Sequence, residues 1–237
     1  MKNIEKKKDQ LVKEVQEMHE KVADLEKTVV RDNQLEKELQ QSDGRLQKLI
    51  EGIAYIITEI VEIRDPYLIG HHQRVSKLAT AIAREMKLPQ DKIEGVKIAS
   101  LVHDVGKVNL PTGIVSKPSA LVEVELNLLK NHPRTGYEIL KKADFPWPIA
   151  EIVFQHQEKI DGSGYPRGLK GIDILIEAKI LGVANVVEAM SSYKSYRPAL
   201  SIDDSLREIS KYKSILFDPE VVDACLGLFE EKGFKFE

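Results

Sequence analysis

Cysteine is nearly absent. Cys225 is the only one among 237 residues, so neither an internal disulfide nor a closed thiolate zinc site can form. A reducing, cytoplasmic setting suits such a chain. No segment approaches the roughly 18 uninterrupted apolar residues of a membrane span, and the lysines of MKNIEKKKDQ precede no apolar signal-peptide core. Basic excess is missing too: 35 Lys and Arg stand against 38 Asp and Glu, a net charge of −3. That balance argues against DNA as a partner and confines any nucleotide contact to a local pocket. Period-two alternation is lacking throughout, which excludes a protein of half-buried strands. Residues 1–43 contain neither glycine nor proline.

What fills that first stretch is a heptad pattern. Ile4, Leu11, Met18 and Leu25 recur seven apart, with Val15, Val22 and Val29 four residues behind. This is the seam of a coiled coil with β-branched residues on one core position. After Asp32 and Asn33 the series resumes at Leu39, Leu46, Ile53 and Ile60, but its companions Leu49, Ile56 and Ile63 now follow by three. The switch is stammer-like, so the seam must locally overwind. Residues 1–49 are therefore expected to form a coiled-coil helix, and residues 4–63 to organise a parallel homodimer. Its role is either a plain dimerisation stalk or a signalling helix that carries the state of an upstream sensor domain to residues 50–237. Lys8, Asp32 and Ser42 at core positions weaken the seam.

From about Ile50 the apolar spacing stays near three and four, as in Val75, Leu78, Ala79 and Ile82 or Ile180, Val183, Val186 and Val187. These helix faces predict an all-α bundle over residues 50–237. Five of the six histidines lie here: His71, His72, His103, His132 and His156. A lone helical histidine usually reports packing, but His103 and Asp104 end the apolar run IEGVKIASLV, where both are awkward to bury unpaired. An adjacent imidazole and carboxylate suit a divalent first-row metal. Lys107 follows within one turn and could meet a phosphate oxygen. The loop DGSGYP (161–166) combines flexible glycines with Tyr165, whose ring offers a face to a base; its bland reading is a tight structural turn.

His71 with Arg74-Val75, His103-Asp104-x-Gly106-Lys107, His132-Pro133, Asp161-Gly162-Ser163-Gly164-Tyr165-Pro166 and Tyr196-Arg197-Pro198 together resemble the HD-GYP output domain of bacterial signalling proteins. The resemblance covers about residues 50–237 in consistent order. It implies an all-helical HD-superfamily core, a centre of iron or manganese, and hydrolysis of cyclic di-GMP or a related cyclic dinucleotide by metal-activated water. Carried over, the metal ligands fall on His71, His103, Asp104, His132 and His156, with Gln157 and Asn185 at two further ligand positions. Asp104 and Lys107 take the catalytic roles. Gly164, Tyr165, Pro166, Lys194 and Arg197 take the substrate.

At the metal-ligand positions the chain departs from that pattern at three places, and Lys194 stands where similar sequences have an arginine. Gln157 replaces the second histidine of a pair, Asn185 replaces an aspartate, and Tyr67 stands where a third metal would need a glutamate. Neutral amides are poor substitutes for a carboxylate or imidazole, so one or two ions at partial occupancy are expected, with Glu158 or Asp161 as candidate replacements. Three readings follow: a weakened cyclic dinucleotide phosphodiesterase, a degenerate regulatory module that binds a cyclic dinucleotide or a protein and signals through the coiled coil, and a hydrolase of ordinary mononucleotides. The last leaves the GYP loop unexplained.

Overall fold

A computed structural model describes residues 2–65, 68–193 and 199–236. Among them every regular element is helical, and the only bridges are the isolated pairs Asp161–Lys170 and Lys213–Phe217. The chain divides into two units, Met1–Ile50 and Glu51–Glu237. In the first, helix α1 (Lys2–Glu62) presents the heptad residues Leu11, Val15, Met18, Val22, Leu25 and Val29 to solvent. None of its helices is long and apolar enough to cross a membrane, among the described residues.

The second unit is a bundle whose helices begin and end where local chemistry dictates. Helix α2 (His71–Glu85) starts after Gly70, whose φ of +71° suits glycine. Helix α3 (Gln90–Val102) follows Pro89, and short α4 (Thr112–Val115) and α5 (Glu123–Leu129) come next. Pro133 sits in the first turn of α6 (His132–Leu140), where its missing N–H costs nothing; α7 (Ile149–Gln155) follows Pro148. Helix α8 (Ile176–Ser191) precedes α9 (Ile202–Lys211), capped by the Ser201 hydroxyl, and α10 (Pro219–Glu230), capped by Asp218. Helix α2 packs on α3, α8 and α10, α3 packs also on α7, and α6 packs on α7. The core is Val75, Leu78 and Ile82 of α2, Val96 and Ala99 of α3, Ile149 and Ile152 of α7, and Ile180, Leu181 and Val187 of α8, all buried.

The last turns of α1 belong to this unit and are tied to the segment that follows α3. Thr58 Oγ1 donates to the Leu101 carbonyl at 2.7 Å, and the Arg64 guanidinium donates to the carbonyls of Val108 and Leu110. Val108 lies in a 3-10 turn, Val105–Asn109, which is pressed onto α6, and Leu110 follows it directly. Gly106 is the point of closest approach: a Cβ there would meet the His132 carbonyl oxygen at 2.0 Å and the Gly136 nitrogen at 2.6 Å. Both obstacles are backbone, so nothing flexible can yield. Gly106→Ala should therefore lower stability by about 3 kcal/mol, read from the urea midpoint. A loss below about 1 kcal/mol would show that the turn is not locked against α6.

Candidate metal centre

The five histidines of the bundle share one construction. His71 and His72 open α2, His103 caps the C-terminus of α3, His132 opens α6 and His156 caps α7. Each ring is buried. Nδ1 of His103, His132 and His156 bonds the backbone carbonyl three residues upstream, of Ser100 at 2.8 Å, Leu129 at 2.7 Å and Val153 at 2.6 Å. Nδ1 of His72 bonds Glu62 Oε1 at 2.8 Å, and Nδ1 of His71 bonds Glu188 Oε2. Carbonyl and carboxylate oxygens only accept, so every Nδ1 carries the proton and every Nε2 of a neutral ring keeps its lone pair.

Those lone pairs converge on the Asp104 carboxylate. His132 Nε2 lies 3.4 Å from Oδ1, while His103 Nε2 and His72 Nε2 lie 3.5 and 3.6 Å from Oδ2. His132 Nε2 and His156 Nε2 stand 3.4 Å apart. Nε2 of His72 and of His103 is buried with no hydrogen-bond partner. Acceptors facing acceptors at this range repel unless a cation lies among them. His71, His103 and Asp104 bring ligand atoms within 4.8 Å of one another, and so do Asp104, His132 and His156. Two trios sharing one carboxylate, with nitrogen and oxygen donors and no thiolate, fit divalent first-row metal ions, which His71, His103, Asp104, His132 and His156 would hold.

The protonation states agree with that fit. Burial holds His71 and His103 below the usual imidazole range, and brings His132 to about 3 and His156 to about 4. Burial opposes the charge on Asp104, but Lys107 and His103 outweigh it and hold the carboxyl well below its usual range. Burial likewise opposes Glu188, which the His71, Ser192 and Arg74 contacts bring to about 2. His72 is the exception, raised because Asp104 and Glu62 overcome its burial. In metal-free protein the unfolded chain takes up protons on His132 and His156 near pH 6.5, whereas the folded chain does not until about pH 3–4. Stability should then fall as pH drops from about 6.5 towards 4, with a slope of about 1.4 kcal/mol per pH unit for each such histidine. Urea midpoints in chelator at pH 7 and pH 5 check this; a flat profile would contradict neutral rings in the folded state.

A family model described as an HD domain matches residues 55–221. The chain belongs to the HD-domain family. Among its relatives is a cyclic di-GMP phosphodiesterase response regulator of Xanthomonas campestris, 34% identical over 81% of this chain and 51% of its own length. A cyclic di-GMP phosphodiesterase of Thermotoga maritima is 34% identical over 83% of this chain and 54% of its own. The chain thus spans about half the length of these relatives. A solved HDG"Y"P protein of Bdellovibrio bacteriovorus shares the fold, with a TM-score of 0.58 at 22% identity over 69% of this chain and 53% of that one.

Within the HD domain, a cavity of about 450 Å³ is lined by His71, Asp104, Lys107, Gln157, Asn185 and Asp65, among others. Lys107 Nζ reaches Asp104 Oδ2 at 2.7 Å, and both residues line this cavity. The GYP loop meets the edge of this centre through Tyr165, whose ring centroid is 6.5 Å from that of His132 and 5.7 Å from Lys130 Nζ. Gly164 has a packing reason to be glycine: a Cβ there would meet Glu158 Cα and Lys159 N at 2.4 Å. Pro166 follows Tyr165 through a cis peptide bond.

One expectation is corrected. Glu158 accepts the backbone N–H groups of Arg167 and Leu169, and Asp161 accepts Ser163 N and Oγ, so both carboxylates brace the GYP loop and neither joins the metal centre. Lys194 and Arg197, like Tyr67, lie outside the described residues. Sequence reasoning missed His72, Glu62, Glu188 and Asp65. The adjacent His71-His72 pair was a visible signal for the first. Glu188 follows Asn185 by three residues, hence on the same face of α8, but nothing in the sequence links it to a histidine 117 positions earlier.

Proposed function

We propose that this HD domain hydrolyses cyclic di-GMP, or a related cyclic dinucleotide, in a site weakened at Gln157 and Asn185. The observation that carries the reading is the convergence of imidazole Nε2 atoms on Asp104 beside Lys107, at the wall of an open cavity. His71, His103, Asp104, His132 and His156 would hold iron or manganese. Bound there, divalent ions supply Lewis-acid polarisation of a phosphoryl oxygen and lower the pKa of water. The chain's own residues do the rest. Lys107 offsets phosphate charge and stands ready to give a proton to the leaving sugar oxygen. Tyr165 borders the entry and offers a base its face, and Lys194 and Arg197 supply further phosphate contacts. Water adds to phosphorus, the P–O bond to one sugar breaks, and a linear dinucleotide with one terminal phosphate results.

A second reading, a regulatory module of the same fold, is favoured by the two amides at ligand positions. Anaerobic purification with elemental analysis, followed by chromatography of cyclic di-GMP incubated with the protein, separates the two. About two equivalents of iron or manganese per chain and a linear product support hydrolysis. Tight binding of intact nucleotide with one metal or none supports the regulatory module.

We further propose that residues 1–49 form a coiled-coil segment in front of the HD domain of residues 50–237. It pairs with the same segment of a second copy in a parallel homodimer in the cytoplasm and relays the state of a sensor module. The exposed apolar seam supports the pairing, since a monomer leaves it in water. Light scattering at micromolar concentration should return twice the chain mass of 26.8 kDa.

A further inference from the structure

We propose that His72 is a metal ligand of this chain, oriented by Glu62, and that it supplies on the His71 side of the centre a donor that Asn185 withdraws. This rests on the divalent-metal reading of the site and not on the hydrolysis of any substrate.

His72 is 1% exposed, and its Nε2 has no hydrogen-bond partner. Its Nδ1–H is committed to Glu62 Oε1 at 2.8 Å, and Glu62 Oε2 is fixed in turn by the Gly70 N–H at 3.0 Å. That construction repeats the one at His71, whose Nδ1 faces Glu188 while Glu188 Oε1 accepts from Arg74 Nε at 2.8 Å and Ser192 Oγ at 2.6 Å. A carboxylate behind an imidazole fixes the tautomer and raises the basicity of the other nitrogen, which is how metal-ligating histidines are held. A histidine kept only for packing would have both ring nitrogens paired, whereas the buried Nε2 here has no partner.

The forward geometry agrees. The rings of His71, His72 and His103 form a triangle with centroid separations of 5.2, 5.1 and 5.5 Å, and two of them, His72 and His103, face Asp104 Oδ2. Ligands about 2.1 Å from one cation stand roughly 3.0–4.2 Å apart. The 3.6 Å between His72 Nε2 and Asp104 Oδ2 falls inside that range and beyond a hydrogen bond. Asn185 is one turn from Glu188 on α8, and Glu188 holds His71, so the position that lost its carboxylate is on the same side. His72 would add a further imidazole on the side where His71, His103 and Asp104 already bring ligand atoms within 4.8 Å of one another, and the ion would depend less on a neutral amide. The rival arrangement is a proton in place of the metal, making His72 an imidazolium wedged between Glu62 and Asp104.

The test uses the full chain and metal alone. In zinc-loaded wild-type protein with histidine-selective 15N labelling, long-range 1H–15N correlation should show five metal-bound Nε2 atoms, one of them disappearing in His72→Ala. His72→Ala should weaken the tighter or weaker of two zinc sites by at least about 10²-fold in chelator competition, and Glu62→Gln the same site by about 10–100-fold. A protonated His72 Nε2 in the zinc-loaded wild type overturns the proposal, as do unchanged affinities in both variants. Should His72→Ala fail to fold, the wild-type Nε2 state still decides. A wild type that takes up no metal sinks the metal reading itself, whereas one that binds metal without hydrolysing cyclic di-GMP leaves the His72 assignment standing.

Discussion

Asp104→Ala should empty both metal positions and lower cyclic di-GMP hydrolysis by at least about 10³-fold, whereas His156→Ala should empty one position. The difference follows from the sharing of the carboxylate. Oδ1 faces His132 and Oδ2 faces His103 and His72, so one residue takes part in both ligand trios, while His156 takes part in one. Removing a bridging negative charge exposes two cations to each other in a buried setting, where their repulsion is poorly screened. Several kcal/mol of lost transition-state stabilisation corresponds to the stated factor. Elemental analysis reads the stoichiometry and chromatography the rate, with far-UV circular dichroism to confirm that the bundle persists. Equal metal loss from the two variants would mean that Asp104 does not bridge.

The residues that make this centre legible in the sequence are those whose role is set by neighbours in the chain. His103 and Asp104 end an apolar helix, and their adjacency alone demands a shared partner. Helix faces are legible for the same reason, because period and burial express one geometry: Val75, Leu78 and Ile82 are spaced for a face and lie in the core. What stays hidden depends on partners distant in sequence. Glu62 and Glu188 read as ordinary charged helix residues, yet one is 5% exposed and the other fully buried behind a histidine. Burial of a carboxylate depends on the tertiary fold, and no local pattern announces it.

Glycine illustrates the opposite risk, in which a motif is legible but its physics is misassigned. Gly164 sits among the flexible glycines of a loop expected to take the substrate, and Gly106 in HD-x-GK stands beside Lys107. A Cβ at either position would instead meet backbone atoms at 2.0–2.6 Å, so close packing alone requires them to be glycine. Gly106 brings the turn bearing Lys107 against α6 and thereby sets His103-Asp104 opposite His132. Motif glycines here act through backbone geometry, by letting the segments that carry the site pack closely.

Gln157→His combined with Asn185→Asp should raise both metal occupancy and hydrolysis of cyclic di-GMP, each restored ligand contributing about one to two orders of magnitude in metal affinity. Both positions line the cavity that His71, Asp104 and Lys107 also line, so the new side chains have a path to the centre. Asn185→Asp alone should recover the larger share. A neutral His72 can add a donor to that side but no negative charge, and two divalent ions held against Asp104 need charge as well as donors. Gln157→His adds an imidazole beside His156 without changing the charge. The order of the single variants in metal affinity therefore measures whether charge or donor number limits the site. If the double variant binds two metals and still leaves cyclic di-GMP intact, ligand loss is not what limits activity, and the chain acts as a receptor whose cavity does not hold the phosphodiester in line.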